Sequence, residues 1–280
     1  MQDTPISAIL DRLIDDGIKL SPMEATYMGI PGYDDQLDDL SPVGEKKRED
    51  LVRNALAAVK AEAPVNEFDR IAKEVAIERL SSELKLSETK ESHATFNLIA
   101  SPVTGIRQIF EMMKDSPELI SNVTKRLNAI QKAFDGWRQT IEAAAKDGKV
   151  NAKRQVLATA GQLDTFANGG FTAVAKKFNP ALDNAELVNA AKNAEKACAD
   201  LASWLRDKYA PISQPEDGVG ENRYKLWARH FTGADLNIRE TYEWGVQELQ
   251  RINDRMWVAA KKLYPDATPL REVADRLEKD

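Results

Sequence analysis

Apolar residues recur along most of the chain at intervals of three and four, the period of a helix with one buried face. Ile6, Ile9, Leu10, Leu13 and Ile14 form the first such stripe. Phe68, Ile71, Val75, Leu80 and Leu84 form the second, with Ile77 beside it. A long stripe runs through Leu119, Val123, Leu127, Ile130, Phe134, Trp137 and Ile141, and another through Leu187, Ala191, Ala194, Cys198, Leu201 and Leu205. Each is read as a core face. No run alternates apolar and polar residues as a half-buried strand would, and no hairpin signature occurs. The pattern predicts an all-α protein, an elongated irregular bundle of about ten helices, several long, with no significant β-sheet.

Helix starts share a code. Ser-Pro stands at 21–22, 41–42, 101–102 and 116–117, and Thr-Pro at 268–269. The hydroxyl can cap a free N–H, and proline at the first helical position gives up no hydrogen bond. Breaks are marked by glycine and proline: the acidic turn GIPGYDDQLDDLSP (29–42), the NGG at 168–170, and YAPISQPEDGVGEN (209–222). The last is the strongest boundary. It predicts a helical region over 1–210 and a linker over 211–222. A helical hairpin and the start of a further helix follow over 223–280, and the whole can still pack as one domain.

Charge narrows the partners. The 280 residues carry a formal charge of −6 with no basic stripe, so neither nucleic acid nor an anionic membrane surface is expected. The single cysteine, Cys198, excludes an internal disulfide and sits at a small apolar helix position, where a packing role is expected. The first helix carries Asp11, Asp15 and Asp16 where a secretory leader needs an unbroken apolar run, so the cytoplasm is the expected compartment.

No complete catalytic constellation appears. The two histidines, His93 and His230, are far apart, and neither opens an H-E-x-x-H motif. The paired aspartates at 15–16, 34–35 and 38–39, and the charged string ETKESH (88–93), read as solvated surface. One stretch stands out. YKLWARHFTGADLNIRETYEWG (224–245) gathers five aromatics and His230 into two helical patterns broken at Gly233. Trp227 and Trp244 are expected to lock the two helices together. The alternative use of this stretch is as a ligand wall.

Four strings, EATYMGIPGYDDQLDDLSPVG (24–44), FNLIASPVTGIRQIFEMM (96–113), AKRQVLATAGQLDTFA (152–167) and GENRYKLWARHFTGADLNIRETYEWGVQELQRI (220–252), together carry a resemblance. In this order they resemble the N-terminal half of the bacterial domain-of-unknown-function 885 proteins. The resemblance implies full members roughly twice this length and almost wholly helical. It also implies zinc metallopeptidases of the gluzincin type, with a His-Glu…His-His motif in the C-terminal half and a substrate cleft between two helical halves. On that reading this chain is the non-catalytic N-terminal half of a zinc-dependent, peptidase-like hydrolase. It would form one wall of the cleft and be inactive alone. It holds no catalytic residue and no metal ligand, and zinc is expected only in a full-length protein. Tyr224, Trp227, Arg229, His230 and Tyr242 are the candidate cleft residues. The expected partners are the missing C-terminal half, or a second copy through the C-terminal third, with a peptide as substrate. The alternative is a complete, non-enzymatic, all-helical binding or scaffold protein.

Overall fold

The computed structural model describes residues 4–279. The chain opens with α1 (Pro5–Leu20), α2 (Pro22–Met28), α3 (Pro42–Ala61) and α4 (Glu67–Glu88). Then come α5 (Glu91–Ala94), α6 (Pro102–Met112), α7 (Leu119–Lys146), α8 (Lys153–Ala167), α9 (Gly170–Phe178) and α10 (Ala185–Trp204). A π-helical turn at Leu205–Tyr209 extends α10, and α11 (Glu221–Thr232), α12 (Ile238–Leu263) and α13 (Leu270–Leu277) complete the order. Among the described residues there is no strand, only one isolated bridge between Ala152 and Gln214. The all-α class expected from periodicity is what the molecule adopts. The thirteen α-helices among the described residues exceed the expected number because short helices such as α2, α5 and α9 are too brief to show a period.

Two compact units are present, Met1–Leu226 and Trp227–Asp280. The first contains two cores. The larger is built around α7 and α10, with α6, α8 and α9 packed on them, and buries Val123, Leu127, Ile130, Phe134, Trp137 and Ile141 from the long stripe of α7. Trp137 meets Phe96 edge to face at 4.9 Å between ring centroids. Alanines at 190, 191, 194, 197 and 202 on α10 let its backbone approach its neighbours closely. Cys198 is buried among them, and burial pushes its thiol up to about 12, as a packing residue requires. The smaller core joins α1, α3 and α4 through Ile6, Ile9, Val52, Leu56, Val59 and Leu80.

Only the C-terminal part of the α4 stripe is the core face expected from spacing: Leu80 is buried, with Ile77 and Leu84 packed beside it. Phe68, Ile71 and Val75 are each about half exposed, and the helix buries Asp69, Ala76, Leu80, Ser82 and Leu86 instead. Phe68, Ile71 and Val75 border an open apolar groove beside Leu10. In its first half the helix turns Asp69 and Ala76 inward, a polar and a small residue whose burial a hydrophobicity pattern undervalues.

Serine hydroxyls cap as expected at Ser41 and Ser101, which accept the amides of Gly44 and Thr104. Ser21 makes no such bond, and α7 begins after Ser116-Pro117, at Leu119. At the NGG break, Gly169 takes a φ of 93° and separates α8 from α9. The stretch 211–222 is tied down: the Gln214 amide donates to Asn151 O and the Lys153 amide to Gln214 O, so the division into units falls inside α11.

The acidic turn after α2 is clamped rather than solvated. Arg126 of α7 is fully buried beneath it. Its Nε donates to Gln36 O at 2.9 Å, and one terminal nitrogen donates to Thr26 Oγ1 at 2.6 Å and to Tyr33 O at 3.2 Å. Thr26 in turn donates to Asp34 at 2.7 Å. The chain then crosses α7 at Gly136, where an added Cβ would lie 2.9 Å from the Ser41 nitrogen, and Thr140 donates to Leu40 O at 2.7 Å. This fixes Asp38 in place, with consequences described below.

The second unit has a small core, Ala260, Ala267 and Val273, with Trp257, Tyr264 and Leu270 around it. It joins the end of α12 to α13. Asp280 lies outside the described residues.

Candidate functional site

Four of the five candidate cleft residues lie in the second unit, and Tyr224 lies in the first, one helical turn earlier on α11. Within α11, Trp227 lies 6.0 Å from Phe231 in a near-parallel stack and 6.0 Å from His230 edge-on. The Trp227 indole nitrogen is buried without a hydrogen-bond partner. Arg229 reaches Asp235 at 3.2 Å across the turn at Gly233, whose φ is 68°. α12 then starts from Asn237, whose side chain accepts the Glu240 amide. These local features match the sequence pattern.

The packing expected of the hairpin does not form. α11 buries no residue, and α12 buries Ala260 alone. Trp244 is 63% exposed and Tyr242 73%. Trp227 packs within its own helix, and Trp244 does not lock α12 to it. The reason lies in where the apolar residues of α12 fall. Ile238, Tyr242, Gly245, Leu249, Ile252, Met256, Ala259 and Leu263 are spaced four, three, four, three, four, three and four, a strict seam along one face. Tyr242, Leu249, Ile252, Met256 and Leu263 of this seam are all exposed, Leu249 to 68% and Leu263 to 60%. Isolated apolar side chains on a surface need no explanation, but a continuous seam of them does.

The first unit holds a polar constellation that the sequence did not disclose. Glu91, read above as part of a solvated terminus, is fully buried. Lys149 Nζ lies 2.8 Å from one of its oxygens and Arg223 Nε 2.7 Å from the other. Burial pushes this carboxyl up, but the two cations outweigh it and hold it below the usual carboxylate range. Arg223 thereby fastens the start of α11 to α5. Beside it is a small recess of about 130 Å3 bordered by Asn97, Gln155, Gln214 and Arg223. His93, in the same string, is half-buried with its Nε2 3.6 Å from Glu45. Glu91 was invisible in the sequence because its partners are 58 and 132 positions away. No set of three His, Cys, Asp or Glu side chains that could hold a metal ion occurs among the described residues. No described helix is long and apolar enough to cross a membrane.

The family described as "Bacterial protein of unknown function (DUF885)" matches residues 22–280. The chain belongs to the DUF885 family. A solved structure described as "a putative lipoprotein of unknown function from Shewanella oneidensis" is similar, with a TM-score of 0.69 and 18% identity. That likeness shows the fold. It covers 97% of this chain and 52% of the other, so the DUF885 chain in hand spans about half the length of that relative. No curated protein matches.

Proposed function

We propose that this chain is the non-catalytic part of a zinc-dependent, peptidase-like hydrolase, with α11 and α12 contributing one wall of a peptide-binding cleft. The observation that carries the reading is the open seam of α12. A 26-residue helix with an uninterrupted apolar seam is built to lie against another helix. The Shewanella structure, of which this chain covers 52%, supports a longer protein that could supply such a partner. The zinc ligands are assigned to the part of a longer protein outside these residues, and no step is routed through zinc here. The chain's part is to present the aromatic side of α11 and the seam of α12. The test is to express the protein with any coding sequence that follows Asp280. About one zinc per chain and peptide hydrolysis are expected, with Leu249→Asp reducing hydrolysis. A longer protein without zinc or hydrolysis would overturn the reading, as would a stop codon directly after Asp280.

One observation favours a second reading, a scaffold assembled from two copies. Laid antiparallel on itself about its midpoint, the α12 seam places Tyr242 opposite Ala259, Met256 opposite Gly245, and Leu249 opposite Ile252. Large faces small in the layers of Tyr242 and Met256, and two branched aliphatic side chains meet at the centre. The same register brings Glu248 near the Arg255 of the other copy, twice over by symmetry. Light scattering separates the readings: a dimer of the 280-residue chain abolished by Leu249→Asp supports the scaffold, and a monomer at high concentration excludes it.

A further inference from the structure

The first unit contains an open cavity of about 470 Å3, remote from α12 in sequence and lined by residues of α1, α2, α3 and α4 and by Asp38. Its volume is in the range that takes a small organic molecule. The lining is largely apolar, with Ile14, Met28 and Leu51 among its walls. Gly17 opens it further, since an added Cβ there would meet only Leu51 Cδ2 at 3.9 Å.

The charged groups at this cavity are mostly acidic. Asp38, Glu24 and Glu83 border it, with Arg48 as the one cation among the residues that line it. Arg48 is already committed: it donates to Leu20 O at 3.1 Å, to Asp39 O at 2.7 Å and to Glu45 at 2.7 Å. Its charge is matched by Glu45, a residue outside the cavity lining. Asp38 differs. Its Oδ1 accepts the Met23 amide at 2.9 Å, capping α2 in place of Ser21, whose side chain makes no cap bond. Its second oxygen accepts no hydrogen bond among the described residues. Burial pushes this carboxyl up, against the Met23 amide and the more distant Arg48 and Arg126. Capping alone needs one oxygen and no burial. The Arg126 clamp nonetheless holds the whole turn so that this carboxylate borders an apolar cavity. Tyr27 stands at the same cavity, and an aromatic face attracts a cation.

We propose that this cavity binds a small organic ammonium ion with an alkyl or aryl body, the body lying among Ile14, Met28 and Leu51 and the charge at Asp38. An anionic ligand would face three carboxylates, against one arginine whose charge Glu45 already matches. A neutral apolar ligand would leave Asp38 desolvated and unmatched.

Phenethylammonium is the probe, titrated into the full chain at roughly millimolar concentration, the affinity expected of so small a ligand. Amide resonances report the site, because the Met23 N–H is bonded to Asp38 itself. Saturable shifts at Met23 and Gly17 are expected with phenethylammonium and not with 3-phenylpropanoate or phenethyl alcohol. Asp38→Asn keeps an oxygen to cap α2 but removes the charge, and should weaken binding about tenfold. Gly17→Leu fills the cavity while leaving Asp38 intact, and should abolish the shifts. Equal binding of the alcohol or the carboxylate overturns the proposal. So does an unchanged affinity in Asp38→Asn, or the absence of any shift at Met23 in the folded wild-type protein.

Discussion

The two long helices α7 and α12 are close in length, 28 and 26 residues, and both carry apolar residues at three-four spacing. In α7 that stripe is covered on all sides. Val123, Leu127, Ile130, Phe134 and Ile141 are at most 2% exposed. In α12 the equivalent residues face water. Helical amphipathicity is therefore a statement about what a helix can bury, not about what it has buried. The difference lies in the neighbours. α7 meets α10 along its length, and α10 is alanine-rich, so the backbones come close. Within the second unit, α12 packs on α13 near its C-terminal end.

The largest test of this contrast uses one tryptophan from each helix. Trp137→Ala removes a ring that is 5% exposed and packed on Phe96, and should cost about 3–5 kcal/mol in a denaturant melt. Trp244→Ala should change the same melt by no more than about 0.5 kcal/mol. Similar losses for the two would mean that α12 is covered, and the contrast would fail.

Glu91 sharpens the comparison, because it ties α11 to the first unit by charge rather than by apolar burial. Glu91→Gln leaves Lys149 and Arg223 without their shared carboxylate and should cost about 2–3 kcal/mol. The pH dependence follows from the direction of its shift. The folded carboxyl lies below its unfolded value of about 4.3, so its stabilisation is complete above that pH. It is lost as pH falls through the folded value. Wild-type stability should fall along this acid limb more steeply than that of Glu91→Gln. Parallel acid limbs would show that the three groups are not coupled.

Gly136 tests the close approach that the larger core requires. Glycine within a helix is ordinarily worth replacing, since alanine is favoured there by about 1 kcal/mol. Here an added Cβ would stand 2.9 Å from the Ser41 backbone nitrogen, and backbone cannot rotate away. Gly136→Ala should therefore destabilise the first unit by about 1–3 kcal/mol. A rise in stability would mean that the turn over α7 is loose.

Legibility in the sequence followed the same division. The stripes of α7 and α10 named their buried faces almost residue by residue, because large apolar side chains at helical spacing have few other uses. Ser41 and Ser101 marked two helix starts, because a cap and its helix are local. What failed was non-local or carried by small and charged residues. Phe68, Ile71 and Val75 were read as buried because they are apolar, yet α4 turns Ala76 and Ser82 inward. Glu91 and Asp38 were read as solvated because they are acidic, yet each meets a partner brought in by the fold. The hairpin reading failed for a related reason. The aromatics around Gly233 are close in sequence, but their packing depends on a surface that the sequence pattern alone cannot place.

The smallest expected effect is the most informative about α12. Leu249 lies mid-seam and is 68% exposed. Deleting a buried leucine typically costs about 2–5 kcal/mol, whereas an exposed one contributes little to folding. Leu249→Ala in the 280-residue chain should thus shift unfolding by no more than about 0.5 kcal/mol, and Leu249→Asp should be tolerated as well. Amides along the open part of α12 should exchange faster than those of α7, because few apolar contacts oppose local opening. If Leu249→Ala instead costs more than about 2 kcal/mol, and the cost grows with protein concentration, the seam is closed by a second copy. If the cost is large and independent of concentration, the seam is closed within the chain, and the contrast with α7 disappears. A small cost here, joined to a large loss of hydrolysis by Leu249→Asp in a longer protein, would place the use of this helix in binding rather than in folding.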